Sequence, residues 1–209
     1  MKICFISDTH ELHDKLKLPE SDILVHAGDL TMGGDVKACR TALAWLNAQP
    51  HEHVVFVAGN HDFAFESNNK DVLLKGFERL IYLQDTEKEI KGLRFYGSPV
   101  QPWFHDWAFN VQRGEAIRRY WDLIPGDVDV LITHGPPFGI LDQSIKGKTD
   151  HLGCEELADT LSVIHPKIHV FGHIHGSYGR WDASDTKYIN ASVVNEAYQV
   201  VNEPHLIEL

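Results

Sequence analysis

Six short apolar runs, at residues 2–7, 22–27, 53–58, 94–97, 128–133 and 167–171, punctuate the chain. Their length and β-branched content are those of buried strands. Between several of them the apolar positions recur at helical spacing. Residues 35–49 carry Val36, Ala42, Leu43 and Leu46, with Asp35 placed as a cap. Residues 110–124 set Ile117, Tyr120, Trp121 and Ile124 against a polar face, and residues 153–164 do the same through Leu157, Leu161 and Ile164. Strands covered by helices are the expectation. Two stretches, 86–100 and 188–209, are strand-rich without a helix between, which predicts antiparallel additions and a second sheet packed on the first. The pattern therefore predicts an α/β sandwich with helices outside two mixed sheets. Long irregular segments are expected at 9–20, 63–70, 98–109 and 138–152, a length that tends to go with function.

Polar clusters follow five of these runs directly: Asp8-Thr9-His10, Gly28-Asp29, Gly59-Asn60-His61-Asp62, His134-Gly135 and Gly172-His173-Ile174-His175. Each falls where a strand ends and a loop begins, which is where α/β folds place their chemistry. A lone His or Asp at a strand end is usually solvated or structural. Five clusters after five runs are a different matter.

Composition narrows the field. At 209 residues the chain can bury one sizeable core, and a single domain over 1–209 is expected. An uninterrupted run of only four apolar residues, Ile3 to Ile6, precedes Ser7 and Asp8, far short of a signal-peptide core or a membrane span, so a cytoplasmic protein is expected. Cys4, Cys39 and Cys154 are odd in number and unrelated in spacing, which indicates neither a disulfide framework nor a thiolate metal site. A formal net charge of -11 speaks against an extended nucleic-acid face. It leaves room for a small phosphorylated substrate, because two divalent cations set against two aspartates and one hydroxide would leave the site at about +1 by formal counting.

The residue types in the clusters are Asp, His and Asn without Cys, the ligand set of borderline or hard divalent metals. Asp8, His10, Asp29, Asn60, His134, His173 and His175 are enough for two ions that share one carboxylate. Two such ions about 3.5–4 Å apart activate a nucleophile and neutralise phosphoryl charge together. Asp29 is the best candidate bridge, with Gly28 before it letting the backbone pass close to the ions. Asp8 and His10 lie two residues apart, as do His173 and His175, so each pair points to one side if the strand direction persists and could hold one ion jointly. Asn60 offers a neutral oxygen to an ion and an amide nitrogen to a phosphate oxygen. His61 beside it can carry a proton and is the candidate general acid. The aromatic run around Pro102-Trp103-Phe104-His105-Asp106-Trp107 reads either as a loop capping the core with its own rings or as a stacking wall for a nucleobase, with Trp103 and His105 lining the substrate pocket.

The order Asp-x-His, Gly-Asp, Gly-Asn-His-Asp, His, Gly-His-x-His resembles that of the calcineurin-like metallophosphoesterases, with every motif present from Asp8 to His175. The resemblance implies a four-layer αββα sandwich and a dinuclear site. By the same resemblance, Asp8, His10, Asp29 and His175 surround one ion, Asp29, Asn60, His134 and His173 surround the other, and His61 contacts the phosphate or leaving group. Manganese is the first choice of metal, with iron, nickel, zinc or cobalt also suited to nitrogen and oxygen ligands.

Protein Ser/Thr phosphatases of this family follow Gly-Asp with Asp-Arg-Gly, whereas residues 28–34 here contain no arginine. A dianionic monoester therefore lacks one expected clamp. Tyr96-Gly97-Ser98-Pro99, the aromatic run, His134-Gly135-Pro136-Pro137 and Lys187-Tyr188-Ile189-Asn190-Ala191-Ser192 resemble the brain-type metallophosphoesterase-domain phosphodiesterases and their bacterial relatives. That implies hydrolysis of small phosphodiesters, cyclic nucleotides among them, by attack of a hydroxide bridging the metals. The enzyme alternatives are a phosphomonoesterase or a nuclease with the same metals. A protein-binding scaffold, as in the retromer-type relatives, is the non-enzymatic one, and the intact ligand positions speak against it. The partners expected are a small phosphodiester or nucleotide substrate and no membrane; the sequence leaves the oligomeric state open.

Overall fold

A computed structural model describes residues 1–67, 70–145 and 149–209; parts of the irregular segments expected at 63–70 and 138–152 lie outside the described residues. In chain order the first elements are β1 (Lys2–Ile6), β2 (Ile23–His26), α1 (Val36–Asn47), β3 (His53–Phe56), α2 (Phe63–Glu66), α3 (Lys70–Leu74) and β4 (Leu80–Tyr82). There follow β5 (Thr86–Ile90), β6 (Leu93–Ser98), β7 (Gln101–Pro102), β8 (Asn110–Val111), α4 (Glu115–Trp121) and β9 (Val130–Thr133). The chain ends with α5 (Glu155–Leu161), β10 (Ile168–Phe171), β11 (Gly179–Asp182), β12 (Lys187–Asn190) and β13 (His205–Glu208).

The strands form two main sheets, in the orders β13-β1-β2-β3-β4 and β11-β12-β10-β9-β6-β5, beside a small β7-β8 pair. Side-chain alternation along the strands creates three cores. Ile3, Phe5, Val25 and Val55 of the first sheet meet Phe95, Val130, Ile132, Val170 and Ile189 of the second in a fully buried middle layer. The alternate residues Cys4, Ile6, Leu24 and Phe56 pack with Leu43, Leu46 and Leu73 from the helices outside the first sheet. Tyr96, Leu131 and Phe171 pack with Ile117, Trp121, Leu157 and Leu161 outside the second. The result is the expected four layers, with central strands buried on both faces and hence apolar almost throughout. Each large side chain buried in this way contributes ~1.5–3 kcal/mol, so the sandwich is a stiff platform for the loops at its edge.

Several local expectations are corrected. The stretch 110–124 is not one helix: Asn110 engages its side-chain amide with the carbonyls of Phe104 and His105 at 3.1 and 2.9 Å, and the helix starts only after Gly114. Segment 63–70 contains α2, whose Phe65 is buried, and segment 9–20 contains a 3₁₀ turn at His13–Lys15. β13 pairs antiparallel with β1 and β5 with β6, as expected for the strand-rich stretches. β12, however, is parallel to β10, because the polar strand β11 has already reversed the chain. Among the described residues no helix is long and apolar enough to cross a membrane.

The two sheets touch at the carboxyl ends of their parallel strands. Ser7, just beyond β1, donates its N–H to Ala191 and accepts from Val193 at 2.8 and 3.0 Å, just beyond β12. The loops after β1, β2, β3, β9 and β10 therefore converge on one edge, and all five polar clusters lie on them.

Candidate metal centre

Backbone conformation, more than strand alternation, aims the donors. β1 ends before Asp8, and Asp8, His10, Asp29 and His173 all adopt left-handed backbone at φ 55, 42, 56 and 66°. Non-glycine residues rarely take this conformation, and it is held here by main-chain bonds from Asp8 to Gly28 and from His10 to Asp29 at 2.9 and 3.1 Å. Gly28 has φ 100°, and a Cβ there would come within 2.5 Å of His134 Nδ1 and 2.7 Å of the Ala58 carbonyl. The turn into Asp29 thus needs glycine both for its conformation and for its space.

Three overlapping groups of donor atoms result, each within 4.8 Å: Asp8, His10 and His175; Asp29, His134 and His173; and His10, Asp29 and His61. Asp8 and His10 share a group, whereas His173 and His175, expected to act as a pair, part into different ones because the left-handed turn at His173 ends the strand direction. Asp29 Oδ1 lies 3.4 Å from His134 Nε2, while its Oδ2 lies 3.7 Å from His10 Nε2 and 4.0 Å from His61 Nε2. Asn60 Oδ1 lies 2.9 Å from His134 Nε2. The Nδ1 atoms of His10, His134 and His61 face main-chain carbonyls of Thr31, Ala27 and Met32 at 3.1, 3.0 and 2.7 Å. A carbonyl only accepts, so each Nδ1 carries a proton and each ring is turned with its Nε2 toward the cluster, where that atom can bind a cation or carry a second proton. This is the usual arrangement around metal-binding imidazoles.

The electrostatics show what the cluster attracts. Burial pushes the Asp8 carboxyl up, but His175 and His134 hold it down at about 2. Burial likewise opposes ionisation of Asp29, yet His134, then His10 and His61, hold it well below the ordinary range. Against burial, Asp29 and Asp8 lift the His134 imidazole to about 9, and Asp8 raises His175. Burial lowers His10, and burial with the charge of His134 brings His173 to about 3. The two buried carboxylates have only histidines as ion-pair partners among the described residues, and they draw protons onto His134 and His175. Divalent cations would displace the protons and satisfy the same carboxylates, so the donor set fits metal ions.

A scan against known families matches residues 1–177 to the calcineurin-like phosphoesterase model. The chain belongs to the calcineurin-like phosphoesterase family. It is 41% identical to human metallophosphoesterase domain-containing protein 1 over 227 residues, covering 98% of this chain and 69% of that one. It is 36% identical to a UPF0046 protein of Caenorhabditis elegans, covering 98% and 79%. The fold also matches the crystal structure of TT1561 of Thermus thermophilus, with a TM-score of 0.64 at 13% identity over 90% of this chain and 88% of that one. Family and donor cluster together make the protein a metal-dependent phosphoesterase with mixed sheets and flanking helices.

Beside the phosphoesterase donors lies a cavity of about 330 Å³, bounded by Asp29, Asn60, His61, His173 and His175 on one side and by an aromatic wall on the other. Trp103 lines it and is half exposed. His105, expected beside it, does not: its ring turns onto Phe104 at 4.3 Å and faces solvent. The ring that reaches the polar side is Trp107, 4.2 Å from His61. Tyr198 packs edge-on against His10 and His175 at 4.8 and 5.4 Å, from a turn beyond the family-matched residues. Arg113 also lines the cavity. Its guanidinium donates to the Leu152 and Gly153 carbonyls at 3.1 and 2.8 Å and to Glu155.

Asp62, the fourth residue of its motif, is fully buried and ties the site together. Its carboxylate accepts from Gly59 N–H at 2.9 Å, Leu30 N–H at 3.1 Å, and the N–H and hydroxyl of Thr31 at 3.0 and 2.8 Å. Burial and the nearby charge of Asp29 lift it to about 6 against those donors. The loop carrying Asp29 and the loop carrying Asn60 and His61 are thereby clamped to each other.

Proposed function

We propose that the protein is a phosphodiesterase that uses two divalent ions to hydrolyse small phosphodiesters, cyclic nucleotides among them. The observation that carries this reading is Asp29, whose two carboxylate oxygens face different donor groups. Asp8, His10, Asp29 and His175 would hold one ion, and Asp29, Asn60, His134 and His173 the other, with manganese the first choice. When bound, such a pair polarises the phosphoryl oxygens and lowers the pKa of the attacking water.

The chain's own side chains account for the rest of the chemistry. The Asn60 amide nitrogen can hold a phosphoryl oxygen while its Oδ1 faces the donor cluster. His61, with Nδ1 fixed on the Met32 carbonyl, presents Nε2 to the cavity and serves as proton donor to the departing oxygen. Trp103 and its aromatic neighbours offer a planar group, such as a nucleobase, a face to stack on. Diesters are favoured because Arg113, the arginine of the cavity wall, is engaged with two carbonyls and Glu155. A dianionic monoester meets no open guanidinium clamp among the described residues.

The test compares kcat/KM for bis(4-nitrophenyl) phosphate and 4-nitrophenyl phosphate at one pH with manganese, and repeats the assay in chelator. A diester-to-monoester ratio above one, lost in chelator, is expected. A ratio well below one would make the protein a monoesterase.

A further inference from the structure

The aromatic segment after β6 is fastened to the turn that carries Asn60 and His61. Ala108 donates its N–H to the Asn60 carbonyl at 3.1 Å, and Phe109 donates to Glu66 Oε1 at 2.6 Å. Trp107 therefore rides with that turn. Its ring lies 4.2 Å from the His61 ring at an interplanar angle of 35°, and it is backed by Phe63 at 5.9 Å. His61 is otherwise held by its bond to the Met32 carbonyl, edge contacts with His10 at 4.7 Å and Tyr198 at 6.4 Å, and the approach of its Nε2 to Asp29 Oδ2 at 4.0 Å. One hydrogen bond pins a single atom of an imidazole and leaves the ring free to swing about it. Here the pinning carbonyl belongs to a residue that is itself 43% exposed. A flat surface against the ring face removes the remaining freedom.

We infer that Trp107 is a positioning residue for His61: the ring-on-ring contact fixes the imidazole plane so that Nε2 faces the ester oxygen that leaves. This rests on the reading of His61 as proton donor. In that step water forms the new P–O bond and releases one proton to solvent, and the departing oxygen takes the electron pair of the old bond together with the Nε2 proton. His61 is left neutral and regains its proton from solvent. The aromatic segment thus acts on the leaving group through His61, in addition to walling the cavity.

The experiment is a double-mutant cycle on two diesters, 3′,5′-cyclic AMP, which releases an alkoxide, and bis(4-nitrophenyl) phosphate, which releases a phenolate that needs no proton. Displacing a catalytic group by about 1 Å costs on the order of 10²-fold, and a general acid is worth roughly 10²–10⁴-fold. Trp107→Leu should therefore lower kcat on cyclic AMP by about 10–100-fold and on the aryl diester by less than about threefold, with metal content unchanged. Trp107→Phe, which keeps a planar face, should recover most of the loss, and it carries the test if the leucine variant does not fold. In a His61→Ala background either substitution should change kcat by less than about twofold. The same loss in both backgrounds, or equal slowing of both substrates by the Trp107 variants alone, would overturn the inference. If His61→Ala slows both diesters equally, the proton-donor reading falls, while dependence of the Trp107 effect on His61 still decides whether the two rings act as a unit.

Discussion

Gly172→Ala adds one methyl group and should disable half of the metal centre. That methyl would stand 2.1 Å from Asp8 Oδ2 and 2.2 Å from Ser7 Oγ, where ordinary contacts begin at 3.4 Å. None of the neighbours can retreat easily. Asp8 is fully buried and accepts the His173 N–H on both oxygens at 3.0 and 3.1 Å. Ser7 is bonded on both sides of its backbone to the end of the second sheet, and Gly172 itself donates to the His134 carbonyl at 2.9 Å. Relief requires Asp8 to move by about 1 Å, which abandons the His173 bonds and the approach to His175, at a cost on the order of 10²-fold in rate. Overpacking a site this tight should also lower stability by ~1–3 kcal/mol. The assay is kcat/KM for bis(4-nitrophenyl) phosphate at saturating manganese, with manganese affinity by calorimetry and urea unfolding alongside. Gly126→Ala is the control, because nothing lies within 4 Å of a Cβ there; its activity and its stability should stay within about 0.5 kcal/mol of the parent. A Gly172→Ala protein that keeps its manganese affinity, with kcat/KM within about threefold of the parent, would show that Asp8 is not confined as described.

Asp29→Ala removes an oxygen from each donor group, so both ions and nearly all diesterase activity should disappear while the far-UV spectrum survives, since the loop stands above separate cores; loss of cooperative urea unfolding would show that the loop is part of the core. Burial holds His169 and His26 at about 3, below the ordinary 6.5. The unfolded chain then takes up protons that the native chain refuses, so stability is complete above pH 6.5 and falls as pH drops toward 3, by up to ~1.4 kcal/mol per unit for each histidine. His169→Met should make that acid slope shallower by one proton, and an unchanged slope from urea titrations would contradict the assignment.

The parts of the fold legible in the sequence are those whose burial is two-sided. β1, β2, β3, β9 and β10 are apolar on both faces and stand out as continuous runs. β4, three residues long, and β11, a polar edge strand, carry no such signal and become strands only by pairing with β3 and β12. The site divides in the same way. Asp8, His10, Asp29, Asn60, His134, His173 and His175 sit in motifs at strand ends, and the fold brings their donor atoms together. His61 joins one of the same groups. Trp107 lies within the aromatic run, yet composition could not tell which ring turns inward; the choice depends on the bond from Ala108 to Asn60. Tyr198 and Arg113 reach the cavity from turns a few residues outside the quoted motifs, so no local pattern announced them.

Diesterase activity titrated with manganese into metal-free protein tests the central claim most directly. With Asp29 shared between two ions, activity on bis(4-nitrophenyl) phosphate should rise to a plateau at two equivalents per chain and vanish on adding chelator. A plateau at one equivalent, or activity that survives the chelator, would contradict the account.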